Sequence, residues 1–100
     1  MNITKKLTDN ELVISLSGRL DTASAPQLQE TINTCKEDFQ NLVFDFTDLD
    51  YISSAGLRVL LLSNKIMTAN GKNPITIRNA NEIVKEVFEV TGFNSILNIE

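Results

Sequence analysis

The stretch Asp48 to Leu62 reads DLDYISSAGLRVLLL, and it joins two different hydrophobic periodicities. Before it, Leu42, Val43, Phe44 and Phe46 form a short apolar run broken only by Asp45, which predicts a strand covered on both faces. After it, Ala55, Val59, Leu62, Ile66 and Ala69 recur in steps of three and four, which predicts a helix starting at Ser54. Leu57, Leu60, Leu61 and Met67 widen that apolar surface, so the helix is expected to be largely buried. At the junction stand Ser53, Ser54 and a small Ala55-Gly56 pair. A helix N-terminus leaves unpaired N–H groups and a partial positive charge; a serine there can cap the helix, and a phosphate added there is electrostatically favoured. Capping alone needs only one serine. The small pair leaves the first turn bare, so another backbone or a phosphate can come close.

Upstream, Ile3, Lys5 and Leu7 alternate, and so do Leu12, Ile14 and Leu16, around a Thr8-Asp9-Asn10 turn; this predicts a β-hairpin. Gly18-Arg19-Leu20-Asp21-Thr22 ends the second strand. Ser24 and Gln27 have capping-box spacing, Pro26 suits a first helical turn, and Ala25, Leu28, Ile32, Cys35 and Phe39 form one helical stripe. Cys35 in that stripe reads as a small core residue. Lys36 alone does not supply the basic surroundings that activate a thiol. Downstream, Gly71 sits where a helix-stopping glycine belongs, and Pro74 and a strand Ile75-Thr76-Ile77 follow. Asn79 and Glu82 have capping spacing for a third helix with Ile83, Val84, Val87 and Phe88 inward and Gly92 as its stop. Phe93–Ser95 suits a last turn, and Ile96, Leu97 and Ile99 a short terminal strand.

The order ββαβαβα with a short C-terminal element predicts an α/β domain over residues 1–100. Its mixed sheet would combine an N-terminal hairpin with parallel strands, and three main helices would pack on it. In such sheets binding positions gather at the carboxyl ends of the parallel strands, which here carry Asp21-Thr22, Ser53-Ser54 and Asn79.

Composition narrows the chemistry. The formal net charge is −4, and nine scattered basic residues argue against nucleic-acid binding. With no His and one Cys, serine–histidine catalysis and His or Cys metal clusters are ruled out, so no catalytic residue, metal or other cofactor is expected. Asp45, Asp48 and Asp50 lack the glycine and terminal glutamate of a calcium loop and read as solvated loop carboxylates. No apolar run approaches the roughly 20 residues needed to span a bilayer, and the N-terminus is polar from Asn2; a cytoplasmic protein without membrane insertion is expected. Ser54, Arg58 and Lys65 share one polar stripe, either ordinary solvation or a partner-facing strip.

Tyr51-Ile52-Ser53-Ser54-Ala55-Gly56-Leu57-Arg58, after Asp48-Leu49-Asp50, resembles the signature of the STAS domain, and more narrowly that of bacterial anti-sigma factor antagonists. Gly18-Arg19-Leu20-Asp21 before the first helix, the element spacing and Gly92-Phe93 extend the resemblance along nearly the whole chain. The family motif is Asp-Ser-Ser/Thr-Gly-Leu; Ser53 stands where it often has Asp, and Ala55 where it has Ser or Thr. The resemblance implies that Ser54, two residues before the glycine, is the regulatory phosphoserine. It also implies a partner surface at Asp21, Thr22, Ser53, Ser54, Ala55, Gly56 and Arg58, with the bulk-sensitive Gly56 on an exposed first turn. The implied mechanism is partner switching by a protein that is monomeric when free. The unmodified protein binds an anti-sigma factor with serine kinase activity, a sigma factor is released, phosphorylation breaks the complex, and a PP2C-like phosphatase restores it. A constitutive STAS subunit of a lipid-transport ABC complex and a small nucleotide-binding module are the competing expectations; the second lacks a Gly-rich phosphate loop.

Overall fold

A computed structural model describes residues 1–35 and 38–100, so Lys36 lies outside the described residues. The elements run β1 (Asn2–Thr8), β2 (Glu11–Leu20), α1 (Ala25–Asn33), β3 (Asn41–Ile52), α2 (Ser54–Ala69), β4 (Thr76–Arg78), α3 (Glu82–Thr91), a 3₁₀ turn (Phe93–Ser95) and β5 (Asn98–Ile99). The sheet order is β1-β2-β3-β4-β5, with β1 antiparallel to β2 and every later neighbour parallel. The expected mixed sheet with three helices is the fold observed.

One core holds it together. Leu12, Ile14 and Leu16 of β2, Phe44 and Phe46 of β3, and Ile77 of β4 meet Leu28 of α1, Leu60 of α2, and Val84 and Phe88 of α3 in a single buried cluster. The three helices therefore share one face of the sheet. Val43 points to the opposite face and is buried there outside the cluster, in register with Val13 and Thr76. β3 is thus buried on both faces at this point, as the sequence predicts, although the helices lie on one face only.

Several element ends also differ from the sequence reading. β3 runs 12 residues and does not stop at Phe46, so Asp48 and Asp50 are strand residues with exposed side chains and do not lie in a loop. Two bulges hide this. Ser15 pairs with Asp45 and Ser17 with Asp48; Gly18 then pairs with Leu49 and Arg19 with Tyr51, so β3 twice inserts one extra residue. Each insertion flips the inward side, and the buried positions Phe44, Phe46, Leu49 and Ile52 have spacings that no simple alternation produces.

α1 ends at Asn33, which leaves Cys35 and Phe39 beyond it, half-buried at the margin of the core. No capping box forms, because the Ser24 hydroxyl turns back to the preceding turn. On α2 the buried residues are Gly56, Leu57, Val59, Leu60, Ser63, Asn64 and Met67; of the expected stripe Val59 is buried and Ala55 half-buried, while Leu62, Ile66 and Ala69 are exposed. The buried polar pair is satisfied, with the Ser63 hydroxyl donating to Val59 O at 2.7 Å and Asn64 Oδ1 accepting from Ile75 N at 2.9 Å. α3 is capped by Asn81 and not by Asn79: Asn81 Oδ1 accepts from Val84 N at 2.8 Å, while Asn79 takes a left-handed turn at φ +63°. Ile83, expected inward, faces solvent. Gly92 stops α3 at φ +79°, as the sequence predicts.

Candidate functional site

Because β2, β3 and β4 are adjacent and parallel, their carboxyl ends bring the β2–α1 turn, the β3–α2 junction and the β4–α3 turn to one edge. The β3–α2 junction is a single residue. Ile52 ends the strand and Ser54 opens the helix; between them Ser53 donates its N–H to Leu20 O at 2.9 Å. Ser53 Oγ accepts from Gly56 N at 3.4 Å, so Ser53 is the cap. Ser54, one residue on, is exposed at the first helical position. Ser53 thus takes the capping role, and Ser54 is left at the surface.

Gly56 has a different role from the one expected. It is buried, and a Cβ there would stand 2.7 Å from Leu20 Cγ and 2.9 Å from Ile52 Cγ1. The glycine lets the first turn of α2 lie directly on the ends of β2 and β3, beneath the surface that Ser54 and Ala55 present. It is a packing residue on an inward-facing position, which corrects the expectation of an exposed contact.

The β2–α1 turn is built around Asp21. Its Oδ1 accepts from Ala23 N and Ser24 N, each at 3.1 Å, while Ser24 Oγ accepts from Asp21 N at 2.9 Å and donates to Arg19 O at 2.7 Å. The Ser24 N–H is the largest influence holding the Asp21 carboxyl below the ordinary carboxylate range; the Ser24 hydroxyl, the Ala23 N–H and the Arg19 charge act the same way, against opposing desolvation. Arg19 lies 4.3 Å over the Tyr51 ring centroid and 3.8 Å from Asp21. The turn residue Thr22 is exposed.

Thr22, Ala25, Pro26 and Gln29 from the first side and Ala55, Arg58, Val59 and Leu62 from the second line an open groove of about 390 Å³ between α1 and α2. It gathers three of the sequence-predicted residues, Thr22, Ala55 and Arg58; Ser54 directly precedes Ala55 but does not line the groove. Among the described residues Arg58 has no ion-pair partner. Asp21 lies behind the groove, lining a separate depression with Gly18, Arg19 and Asp50. Sequence reasoning missed Pro26, Gln29 and Leu62, which share the groove only once α1 and α2 are paired. It also missed Asn81, whose Nδ2 donates to Leu49 O at 3.1 Å and ties the third turn to β3. Among the described residues no group of three His, Cys, Asp or Glu side chains is placed to hold a metal ion.

The family model of the STAS domain matches residues 2–100. The chain belongs to the STAS domain family. This STAS domain is 36% identical to a Bordetella bronchiseptica protein provisionally named anti-sigma factor antagonist BtrV, over 99% of this chain and 85% of that one. It is 27% identical to the anti-sigma-B factor antagonist of Bacillus subtilis, over 99% and 90%. Its fold matches the anti-sigma factor antagonist SpoIIAA in the unphosphorylated form with a TM-score of 0.77 at 19% identity, covering 99% of this chain and 87% of the other. SpoIIAA in the phosphorylated form matches with a TM-score of 0.76 at 20% identity, over 99% and 91%. At those identities the structural matches speak to the STAS fold alone. No helix among the described residues of this STAS domain is long and apolar enough to cross a membrane.

Proposed function

We propose that this protein is an anti-sigma factor antagonist that works by partner switching in the cytoplasm as a single STAS domain, with Ser54 as its phosphoacceptor. The unmodified protein docks an anti-sigma factor with serine kinase activity over the Ser54–Ala55–Arg58 edge and the Thr22 turn, and a sigma factor is released. A phosphate on Ser54 breaks that complex, and a PP2C-like phosphatase removes it. The observation that carries this reading is the exposed Ser54 hydroxyl on the first residue of a helix anchored by Ser53 and Gly56. A substrate needs only that: a reachable hydroxyl on a rigid mount. Phosphorylation adds about 1.5 to 2 negative charges where a partner must come close, while the positive helix end tolerates them. Among the described residues the only side-chain hydrogen bond at either serine is the Ser53 cap to Gly56 N, and no general base activates a hydroxyl there, so the protein itself is expected to turn over no substrate.

The deciding experiment combines binding with mass spectrometry. Ser54→Ala should bind the anti-sigma factor constitutively, and Ser54→Asp should bind it about tenfold or more weakly, about 1.4 kcal/mol. Kinase-treated protein should carry phosphate on Ser54. Phosphate on Ser53 with Ser54 unmodified overturns the assignment. Hydrolysis of ATP by the isolated protein that vanishes in Ser54→Ala would overturn the non-enzymatic reading.

A further inference from the structure

We propose that the outer flank of α3 is a second docking surface, shaped for a basic amphipathic helix of a partner protein. Ile83, Val87 and Val90 stand at i, i+4 and i+7, so they form one stripe. Ile83 is 61% exposed and Val90 80% exposed, with Val87 half-buried between them. With Glu86 and Thr91 they line a shallow depression of about 290 Å³. Single exposed apolar residues are ordinary, but a continuous stripe beside a hollow marks an interaction surface.

Charge selects the occupant. α3 carries three glutamates and one lysine, and Lys85 is turned towards Glu82 at 4.0 Å. Among the described residues Glu86 and Glu89 have no ion-pair partner. By helical spacing Glu86 borders the apolar stripe on its solvent side, with Glu82 and Glu89 next to it. A second copy docked through a two-fold axis would set this acidic rim against itself, which repels. An anionic lipid surface meets the same repulsion. A partner helix with its own apolar stripe and a Lys- or Arg-lined flank satisfies both the hollow and the rim. The surface does not include Ser54 or the α1–α2 groove, so its occupancy is independent of the switch proposed above.

The test uses the full chain, labelled with ¹⁵N, and two synthetic helical peptides. Both carry leucines at i, i+4 and i+7; one has a lysine flank and the other a glutamate flank. The lysine peptide should shift the amides of Ile83, Glu86, Val87 and Val90 and leave those of Thr22 and Ser54 in place. Its affinity should fall as salt rises and drop about tenfold in the double variant Glu86→Lys, Glu89→Lys. Ser54→Asp should bind it unchanged, and the glutamate peptide should not bind. Val90→Asp, at an exposed position, should fold normally and lose the peptide. No shift with the lysine peptide, shifts mapped to the α1–α2 groove, or equal binding of both peptides overturns the proposal. A concentration-dependent dimer abolished by Val90→Asp would instead assign the stripe to a second copy. Co-sedimentation with phosphatidylserine vesicles, lost in Val90→Asp, would assign it to a lipid surface.

Discussion

At Gly56 two opposing effects meet. Alanine is the better helix former by about 0.5 to 1 kcal/mol. Its methyl would stand 2.7 Å from Leu20 Cγ and 2.9 Å from Ile52 Cγ1, and both of those residues are fully packed. Overpacking of this kind costs typically 1 to 3 kcal/mol, so it wins. Gly56→Ala should lower the urea midpoint, and Gly56→Glu should fail to fold stably. Ser53→Ala should cost about 1 kcal/mol or less, since it removes one long cap bond, and Ser54→Ala should leave stability unchanged. Equal midpoints for wild type and Gly56→Ala would show that Leu20 can step aside. The sequence displayed the glycine and its neighbours but not what lies beneath them. Leu20 and Ile52 sit 36 and 4 positions away and meet Gly56 only because β2 and β3 end side by side.

At the scale of elements, α2 shows why its orientation was misread. Its apolar residues surround most of the helix, and the true buried face contains two polar side chains, Ser63 and Asn64. A periodicity argument counts those as outward and so rotates the stripe towards Leu62 and Ile66. What turns them inward is hydrogen bonding: Asn64 Oδ1 receives the N–H of Ile75, a fully buried residue just before β4. Asn64→Ala leaves that N–H unpaired and should cost about 1 to 3 kcal/mol. Ser63→Ala should cost less, because Ser63 bonds only a carbonyl of its own helix, which already serves the helix ladder. Denaturant titration of the two variants side by side checks the order; the reverse order would sink it. β3 escaped reading for a related reason. Its two bulges replace the two-residue repeat, so a 12-residue strand looked like five residues and a loop. Elements with an unbroken rhythm, the β1–β2 pair and the Gly92 stop of α3, were legible outright.

The whole molecule inherits a pH dependence from two carboxylates, Asp21 in the β2–α1 turn and Asp45 in β3. Asp21 is held low chiefly by the Ser24 N–H, and Asp45 chiefly by the Thr47 hydroxyl, with the Thr47 N–H, Asn79 and Arg78 adding to it against opposing desolvation. These bonds exist only in the folded chain. The folded state therefore binds fewer protons than the unfolded one at acidic pH. Their stabilisation is fully present above the ordinary carboxylate value of about 3.9 and fades as pH falls through the lower folded values. Urea midpoints should be flat from neutral pH to about 5 with respect to these two groups and decline below about 4. Asp21→Asn with Asp45→Asn should flatten that decline; an unchanged acid slope refutes the assignment. At this scale the topology was readable because strand and helix signals alternate along the chain. The joining of Thr22, Ala55 and Arg58 in one groove was not, since it depends on α1 lying beside α2.

The one-residue junction between β3 and α2 has a further consequence. Ser53 is tied to Leu20 on one side and to Gly56 on the other, so Ser54 has no slack beneath it. A phosphate on such a mount has nowhere to drag the chain. The amide spectrum of the phosphorylated protein should change only within the first turn of α2 and the Thr22 turn facing it, with the sheet untouched. On this reading the domain keeps its record as a stamp and not as a posture. With Ser54 as the proposed acceptor, the partner would tell the two states apart by touch, and the molecule would have nothing to refold once the mark was erased.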